Sequence, residues 1–148
     1  MEIRELRQEE EGSWLRLREL LWPDTSRAVL AREMEEILAN PEQNVVLVAA
    51  SLDGEPVGFV EVTLRDWAEG CATRPVGYIE AWYVEPEHRR SGVGRRLMDA
   101  AERWVLSRGC TEIGSDAELS NEISARAHHA LGYAEVARLV LFSKNLRP

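Results

Sequence analysis

The sequence has only two cysteines among its 148 residues, Cys71 and Cys110. They are too few for a disulfide framework and too far apart in sequence for a compact metal site. The N-terminal residues lack the apolar core of a signal peptide, and no later apolar run is long enough to cross a bilayer. We therefore predict a cytoplasmic protein without a metal, in which both cysteines serve in packing.

Positive charge is also scarce, because 18 lysine and arginine residues face 26 aspartate and glutamate residues, for a net charge of -8. This excess of acid argues against a nucleic acid or an anionic membrane as partner and favours a cationic one. An apolar content of 45% and a charged content of 30% are typical of globular proteins. The length predicts a single domain over residues 1–148.

Hydrophobic periodicity predicts six strands and four helices in the order β-α-α-β-β-β-α-β-α-β. The strands are predicted at 3–6, 45–51, 56–64, 76–84, 111–115 and 136–142, and the helices at 9–22, 28–38, 93–107 and 121–131. The Asp53-Gly54 turn predicts an antiparallel hairpin. The last strand lacks polar alternation, so we expect an internal neighbour or a partner subunit to cover both of its faces. The predicted class is α/β, with a mixed, mostly antiparallel sheet and flanking helices.

The turn from Arg89 to Gly94 is the most informative segment, because it joins a predicted strand to a strongly amphipathic helix. A helix start exposes backbone N–H groups and the positive end of the helix dipole. Gly92 and Gly94 have no side chain to keep a phosphate away from those groups. Four arginines crowd this turn in an otherwise acidic chain: Arg89, Arg90, Arg95 and Arg96. The segment predicts a pyrophosphate site, and a solvated helix start is the alternative.

A second polar segment begins where the predicted strand at 111–115 ends. Asn121, Ser124 and His128 are spaced to lie on one helical face, which indicates a polar environment on that side. Asn121 is equally well explained as a helix N-cap, and Ser124 as a small packing residue. Asp116 is suited either to capping a turn or to acid/base chemistry.

The pattern Arg-x-x-Gly-x-Gly and the order of elements resemble the GNAT superfamily of N-acetyltransferases over nearly the whole chain. The resemblance implies that the strand before the turn and the turn itself bind acetyl-coenzyme A. The residues so assigned are Trp82, Tyr83, Val84, Arg89, Arg90, Ser91, Gly92, Val93 and Gly94. Asn121 and Ser124 match the helix that contacts pantetheine in that family. His128 stands where many members have a tyrosine near the sulfur, and its ordinary pKa of about 6.5 suits protonation of a thiolate.

The segment from Ser115 to Glu135 resembles, more specifically, the short-chain bacterial aminoglycoside 6'-N-acetyltransferases, in which dimers are common. The segment Glu80-Ala81-Trp82-Tyr83-Val84 shares this resemblance. It implies Asp116, Glu80 and His128 as the catalytic residues. An aminoglycoside is a polycation, so carboxylates and aromatic rings should form its site. The candidates for that site are Trp22, Trp67, Glu80, Asp116 and Glu135.

The resemblance therefore predicts an enzyme that moves acetyl from acetyl-coenzyme A to the 6'-amine of an aminoglycoside within a ternary complex, and so confers resistance. Two alternatives also bind acetyl-coenzyme A at the turn from Arg89 to Gly94. In the first, the acceptor is a polyamine, a small metabolite amine or a protein N-terminus. In the second, the protein is a non-catalytic acyl-coenzyme A-binding module. Turnover of an amine, and its loss on changing Asp116, would separate an enzyme from the module.

Overall fold

The computed structural model describes residues 1–147, which form two compact units. The first unit runs from Met1 to Asp116, and the second begins at Ala117. The predicted single domain stays a prediction. Within residues 1–147, no helix has the length and apolar content that a bilayer span requires.

The first unit contains a five-stranded sheet in the order β1-β2-β3-β4-β5. The strands are β1 (Glu2–Glu5), β2 (Asn44–Ala50), β3 (Pro56–Arg65), β4 (Val76–Val84) and β5 (Ile113–Ser115). The first four pair antiparallel with their neighbours, whereas β5 runs parallel to β4. The predicted mixed, mostly antiparallel sheet is confirmed, and the hairpin turn at Asp53 joins β2 to β3.

All four predicted helices are present, with ends shifted by two residues or fewer. They are α1 (Glu11–Leu21), α2 (Arg27–Ala39), α3 (Val93–Ser107) and α4 (Glu122–Ala130). Short 3₁₀ turns at Gln8–Glu10 and Pro86–His88 precede α1 and α3. Ser26 caps α2 by accepting a hydrogen bond from the backbone of Val29, as a serine before a helix often does.

Helices cover both faces of the sheet. Trp14 of α1 and Met34 of α2 pack on one face, against Phe59 and other strand residues. On the other face, α3 approaches so closely that a Cβ on Gly77 would lie 2.3 Å from a methyl carbon of Val105. Burial on two faces explains why β2 is a continuous apolar run.

The prediction of a strand at 136–142 is wrong within residues 1–147. Residues 134–147 have no helix or strand. Large apolar side chains along this stretch are between 58% and 92% exposed, so the predicted cover on both faces is also absent within residues 1–147. A strand forms only where its backbone pairs with a neighbour, and apolar composition alone does not reveal that neighbour.

Candidate active site

Strand β4 departs from regular pairing on both of its sides. Towards β3, the register shifts at Glu80, which is an extra residue in β4 and forms a bulge. Towards β5, pairing stops after Ile79, although β4 continues to Val84. The two parallel strands therefore part from Glu80 onward. The backbone of β4 on that side is suited to bind an extended ligand.

The turn after β4 leads into α3 through two glycines that have different roles. Gly92 is the N-cap of α3 and has a φ of +83°, a conformation that favours glycine. A Cβ on Gly94 would lie 3.2 Å from the indole of Trp82, so Gly94 also lets the helix approach the strand. The first helical hydrogen bond runs from Arg96 N–H to the Gly92 carbonyl. The first-turn N–H groups that precede it are suited to an anion.

The arginines of this turn are not equivalent. Arg89 donates from Nε to the Val84 carbonyl at 2.7 Å and lies over the Tyr83 ring, so it fixes the end of β4. Arg96 donates both terminal nitrogens to the carbonyl of the first residue of the chain. Arg90 is exposed and has a φ of +59°. Arg89 and Arg96 are therefore engaged by backbone carbonyls, and the exposed Arg90 and Arg95 are the candidates to reach a phosphate.

Tyr78 of β4 holds Asp116, which directly follows β5. The Tyr78 hydroxyl donates to Asp116 Oδ2 at 2.6 Å. The Tyr78 ring lies against Gly114, where an added Cβ would be 3.0 Å from the ring. Burial raises the pKa of Tyr78 above its ordinary range, and the hydrogen bond to Asp116 raises it further. The hydroxyl therefore stays protonated and orients the Asp116 carboxylate.

Arg65 links the second predicted carboxylate to the same tyrosine. Its guanidinium makes three hydrogen bonds of 2.8–2.9 Å to the Glu80 carboxylate. The guanidinium carbon also lies 3.5 Å from the centre of the Tyr78 ring. The structure thus brings Glu80 and Asp116 together around Tyr78, at the place where β4 and β5 part.

An open cavity of about 590 Å³ lies beside Glu80, between the sheet and helices α1 and α2. Its lining includes Trp22, and the acceptor role of Trp22 stays a prediction. The charged residues of the lining are Arg18, Glu33, Glu36, Glu61 and Glu80. Four carboxylates against one guanidinium make the cavity acidic, which suits a cationic ligand.

Arg18 pairs with two of these carboxylates, with Glu61 in the floor of the cavity and with the partly exposed Glu33 at 3.0 Å. Arg18 and Glu61 are each 3% exposed and form two hydrogen bonds, at 2.7 and 3.3 Å. Trp14 Nε1 donates to the same carboxylate at 2.9 Å. Burial raises the pKa of Glu61, and the Arg18 guanidinium opposes that shift. This pair ties α1 to β3 and leaves Glu33, Glu36 and Glu80 as the more accessible carboxylates.

The other predicted acceptor residues have different positions. Trp67 follows β3 and is 53% exposed, and it is not part of the cavity lining. Glu135 belongs to the second unit and pairs with Arg138, whose guanidinium lowers the pKa of that carboxyl. The acceptor roles of Trp67 and Glu135 stay predictions.

The polar stripe of the second unit lies on α4 and its N-cap. Asn121 caps the helix, with its side-chain oxygen accepting from Ser124 N–H at 3.0 Å. His128 Nδ1 lies 2.7 Å from the Ser124 carbonyl, and its ring meets Tyr133 edge-on at 5.5 Å. A carbonyl only accepts hydrogen bonds, so Nδ1 carries the hydrogen. His128 could therefore donate from Nε2 only as an imidazolium.

One cluster of surface groups has the spacing of metal ligands. One ligand atom each from Glu85, Glu87 and His88 lies within 4.8 Å of the others. Glu85 already forms an ion pair with Arg16. Because Glu85 is engaged by Arg16 and Glu87 is exposed to solvent, we assign no metal to the cluster.

Sequence reasoning did not identify Tyr78, Arg65 or the Arg18–Glu61 pair. The sequence contains a signal for two of these residues. Tyr78 stands two positions before Glu80, and side chains two positions apart share a face of a regular strand. Glu61 is an acidic residue inside an apolar strand. Arg65 gave none, because nothing in the sequence indicates which carboxylate an arginine at the end of a strand will bind.

Comparison with known proteins supports the class that this fold and site define. A model of the acetyltransferase (GNAT) family matches residues 14–133. The chain therefore belongs to the GNAT family of acetyltransferases. The open β4–β5 pair and the glycine turn are the parts of the fold at which the sequence predicted binding of acetyl-coenzyme A.

Within the family, relatives named aminoglycoside N(6')-acetyltransferase type 1 match the chain along nearly its full length. The protein from Klebsiella aerogenes is 42% identical, over 97% of this chain and 96% of that protein. The protein from Stenotrophomonas maltophilia is 40% identical, over 99% of this chain and 94% of that protein.

Solved structures give the same assignment. The apo aminoglycoside 6'-N-acetyltransferase AAC(6')-IG of Acinetobacter haemolyticus has a TM-score of 0.91 and 39% identity, covering 99% of each chain. AAC(6')-Iy, in complex with the bisubstrate analogue CoA-S-monomethyl-acetylneamine, has a TM-score of 0.90 and 32% identity, covering 97% of each chain. The resemblance to the aminoglycoside 6'-N-acetyltransferases that the sequence indicated is confirmed.

Proposed function

We propose that this protein transfers acetyl from acetyl-coenzyme A to the 6'-amine of aminoglycosides and thereby confers resistance to them. The observation that carries the proposal is the acidic cavity beside Glu80, with Asp116 held nearby by Tyr78. A polycationic amine needs several carboxylates to bind and one to take up a proton. The full-length similarity to aminoglycoside N(6')-acetyltransferases supports the choice of acceptor.

The first unit supplies candidates for binding the acetyl donor. The first-turn N–H groups of α3 and the side chain of Arg90 would hold the pyrophosphate. The β4 backbone beyond Glu80, at Trp82, Tyr83 and Val84, would pair with the pantetheine arm where β5 has parted. A backbone N–H on this stretch would also polarise the acetyl carbonyl.

The reaction in this proposal is a direct attack within a ternary complex. The amine arrives as an ammonium, and Asp116 takes up its proton directly or through water. The nitrogen then forms a bond to the acetyl carbon and releases its second proton to water, and the bond from that carbon to sulfur breaks. The thiolate that leaves takes up a proton, and His128 remains the candidate donor, in its imidazolium form. Asn121 and Ser124 remain candidates for the pantetheine amide groups.

The exposed C-terminal stretch supports a homodimer in this proposal. Leu141 and Phe142 are 88% and 92% exposed, which is unusual for side chains of this size. A second copy of the chain would cover them. Sedimentation should show a dimer, and Leu141→Glu with Phe142→Glu should give monomers. A wild-type monomer at all concentrations would contradict this part of the proposal.

A cytoplasmic location also remains proposed, and it is supported by the two cysteines, neither of which is in a disulfide.

The test of the function is the position of the acetyl group in the product. With kanamycin A, NMR of the product should place the new amide on the 6'-nitrogen. Acetylation at another nitrogen, or of polyamines and peptides instead, would replace this proposal with the alternative acceptor class. Binding of acetyl-coenzyme A without turnover of any amine would favour the binding module.

A further inference from the structure

Arg65 occupies the carboxylate that the acceptor would be expected to use. It lies at the end of β3 and binds Glu80 through Nε and Nη2, so both carboxylate oxygens are engaged. Glu80 is also part of the cavity lining, whereas Arg65 is not. The arginine therefore approaches Glu80 from outside the cavity, while a ligand would approach it from within.

The two arginine–glutamate pairs near the cavity differ in exposure. The Arg18 and Glu61 side chains are both 3% exposed, and removing Arg18 would leave the Glu61 carboxylate buried without a counter-charge. The Arg65 and Glu80 side chains are 41% and 36% exposed. Water screens such a pair, which is worth little and can exchange partners. Of the two glutamates, Glu80 is therefore the one that can pass from an arginine to a ligand cation.

The surroundings also let Arg65 leave Glu80 at low cost. Its guanidinium lies over the Tyr78 ring, which attracts a cation whether or not the carboxylate is engaged. Tyr78 itself is held by its hydrogen bond to Asp116 and by its contact with Gly114. Tyr78 and Asp116 can thus keep their positions while Arg65 changes partner.

Resting on the proposed function, we propose that Arg65 determines acceptor specificity by competing with an ammonium group of the acceptor for Glu80. With no acceptor bound, Arg65 neutralises Glu80. A polycation displaces it, because its other amines bind at the same time to Glu36 and to Glu33, which contacts Arg18 but is 46% exposed. A small monoamine has no such second contact and does not displace Arg65. Arg65 thus favours acceptors with several amines over abundant small amines.

The test is calorimetric binding of kanamycin A and spermine, both polycations, and of the monoamine ethanolamine to the full-length wild type and to Arg65→Gln. Loss of the competitor should tighten binding of each polycation about two- to fivefold, the range expected of an exposed ion pair. It should tighten ethanolamine binding by a larger factor, and equal tightening of all three ligands would show that Arg65 does not determine specificity. Arg65→Met, which keeps the aliphatic stem over Tyr78, should behave as Arg65→Gln does.

Arg74→Gln is the matched control, because Arg74 forms an exposed pair with Asp66 in the next loop and its loss removes one positive charge. It should change binding less than Arg65→Gln. In a Glu80→Gln background, Arg65→Gln should have no further effect. Unchanged or weaker polycation binding in both Arg65 variants, or an equal effect of Arg74→Gln, would overturn the proposal. So would failure of every probe to bind.

The binding measurement distinguishes a failure of this proposal from a failure of the proposed function. If kanamycin A binds more tightly to Arg65→Gln but is not acetylated by the wild type, the function fails and the role of Arg65 stands. If kanamycin A is acetylated but Arg65→Gln binds it less well, the function stands and Arg65 instead holds Glu80 in place.

Discussion

The Tyr78 hydroxyl donates a 2.6 Å hydrogen bond to Asp116, which joins the third residue of β4 to the first residue after β5. Since β4 and β5 pair over only three residues, this bond lies close to the point at which the strands part. It places a carboxylate of fixed orientation beside the region where the acetyl donor would lie. Tyr78 is therefore a positioning residue for the candidate base.

Tyr78→Phe should lower kcat about tenfold, because loss of one hydrogen bond to a charged group costs roughly 1.4 kcal/mol. Steady-state kinetics should show no change in the KM for acetyl-coenzyme A. The pKa of Tyr78 is raised, so its hydroxyl is neutral from acid to mildly alkaline pH. The ratio of wild-type to variant rates should therefore be flat across that range. A ratio that falls at mildly alkaline pH would show that Tyr78 ionises.

Asp116→Asn should lower kcat by about 10² to 10⁴, the usual contribution of a general base. Calorimetry should show unchanged affinity for acetyl-coenzyme A, because the proposed donor contacts lie on β4 and α3. Asp99→Asn, an exposed change on α3, is the matched control and should leave both quantities unchanged. Full activity of Asp116→Asn would leave Asp116 with only a turn-capping role.

Glu61→Gln should destabilise the protein by about 2–4 kcal/mol, because it removes the buried counter-charge of the Arg18 guanidinium and leaves only the partly exposed Glu33 to pair with it. Glu55→Gln, on the exposed side of the same hairpin, should cost less than about 0.5 kcal/mol. Urea denaturation followed by fluorescence measures both. Equal stability of the two variants would show that the buried pair does not tie α1 to β3.

The ionised Glu10 carboxylate should contribute stability that the protein loses in acid. The hydrogen bonds from Arg4 lower the pKa of Glu10 below the ordinary 4.5. A lowered pKa in the folded state contributes stability above the ordinary value, and that contribution disappears as the pH falls through the folded value. Glu10→Gln should therefore be less stable than wild type by about 1–2 kcal/mol at neutral pH. The difference should shrink below the ordinary pKa, and a constant difference there would contradict this account.

Gly92→Ala should weaken acetyl-coenzyme A binding and destabilise the fold by about 1 kcal/mol, since a Cβ is strained at a φ of +83°. Gly12→Ala is the matched control in α1, where an added Cβ meets nothing within 4 Å. It should be neutral or stabilising, because alanine favours a helix more than glycine does. Similar melting temperatures for the two variants would contradict the role assigned to Gly92.

Helices and strands with a clear hydrophobic pattern of their own could be predicted from the sequence. The stripe of Leu97, Met98 and Ala101 predicted α3 with both ends correct, and the apolar run of β4 did the same for that strand. The bulge at Glu80 could not be predicted from the sequence, because a bulge depends on how two strands pair.

Long-range partners could not be predicted. The Arg65–Glu80 and Tyr78–Asp116 contacts join residues that are 15 and 38 positions apart in sequence, so only the folded sheet brings them together. For Asn121, the sequence allowed either a cap or a ligand contact, and the structure shows that its oxygen caps α4. The stretch from Val136 to Phe142 has the composition of a strand but lacks a neighbour within residues 1–147.

The measurement that tests the central claim most directly is release of coenzyme A from acetyl-coenzyme A by the purified protein. Kanamycin A, which has a 6'-amine, is compared with an analogue that has a 6'-hydroxyl. The account predicts turnover with kanamycin A alone. Equal turnover of both would contradict acetylation at the 6'-position, and turnover of neither would contradict an aminoglycoside as acceptor.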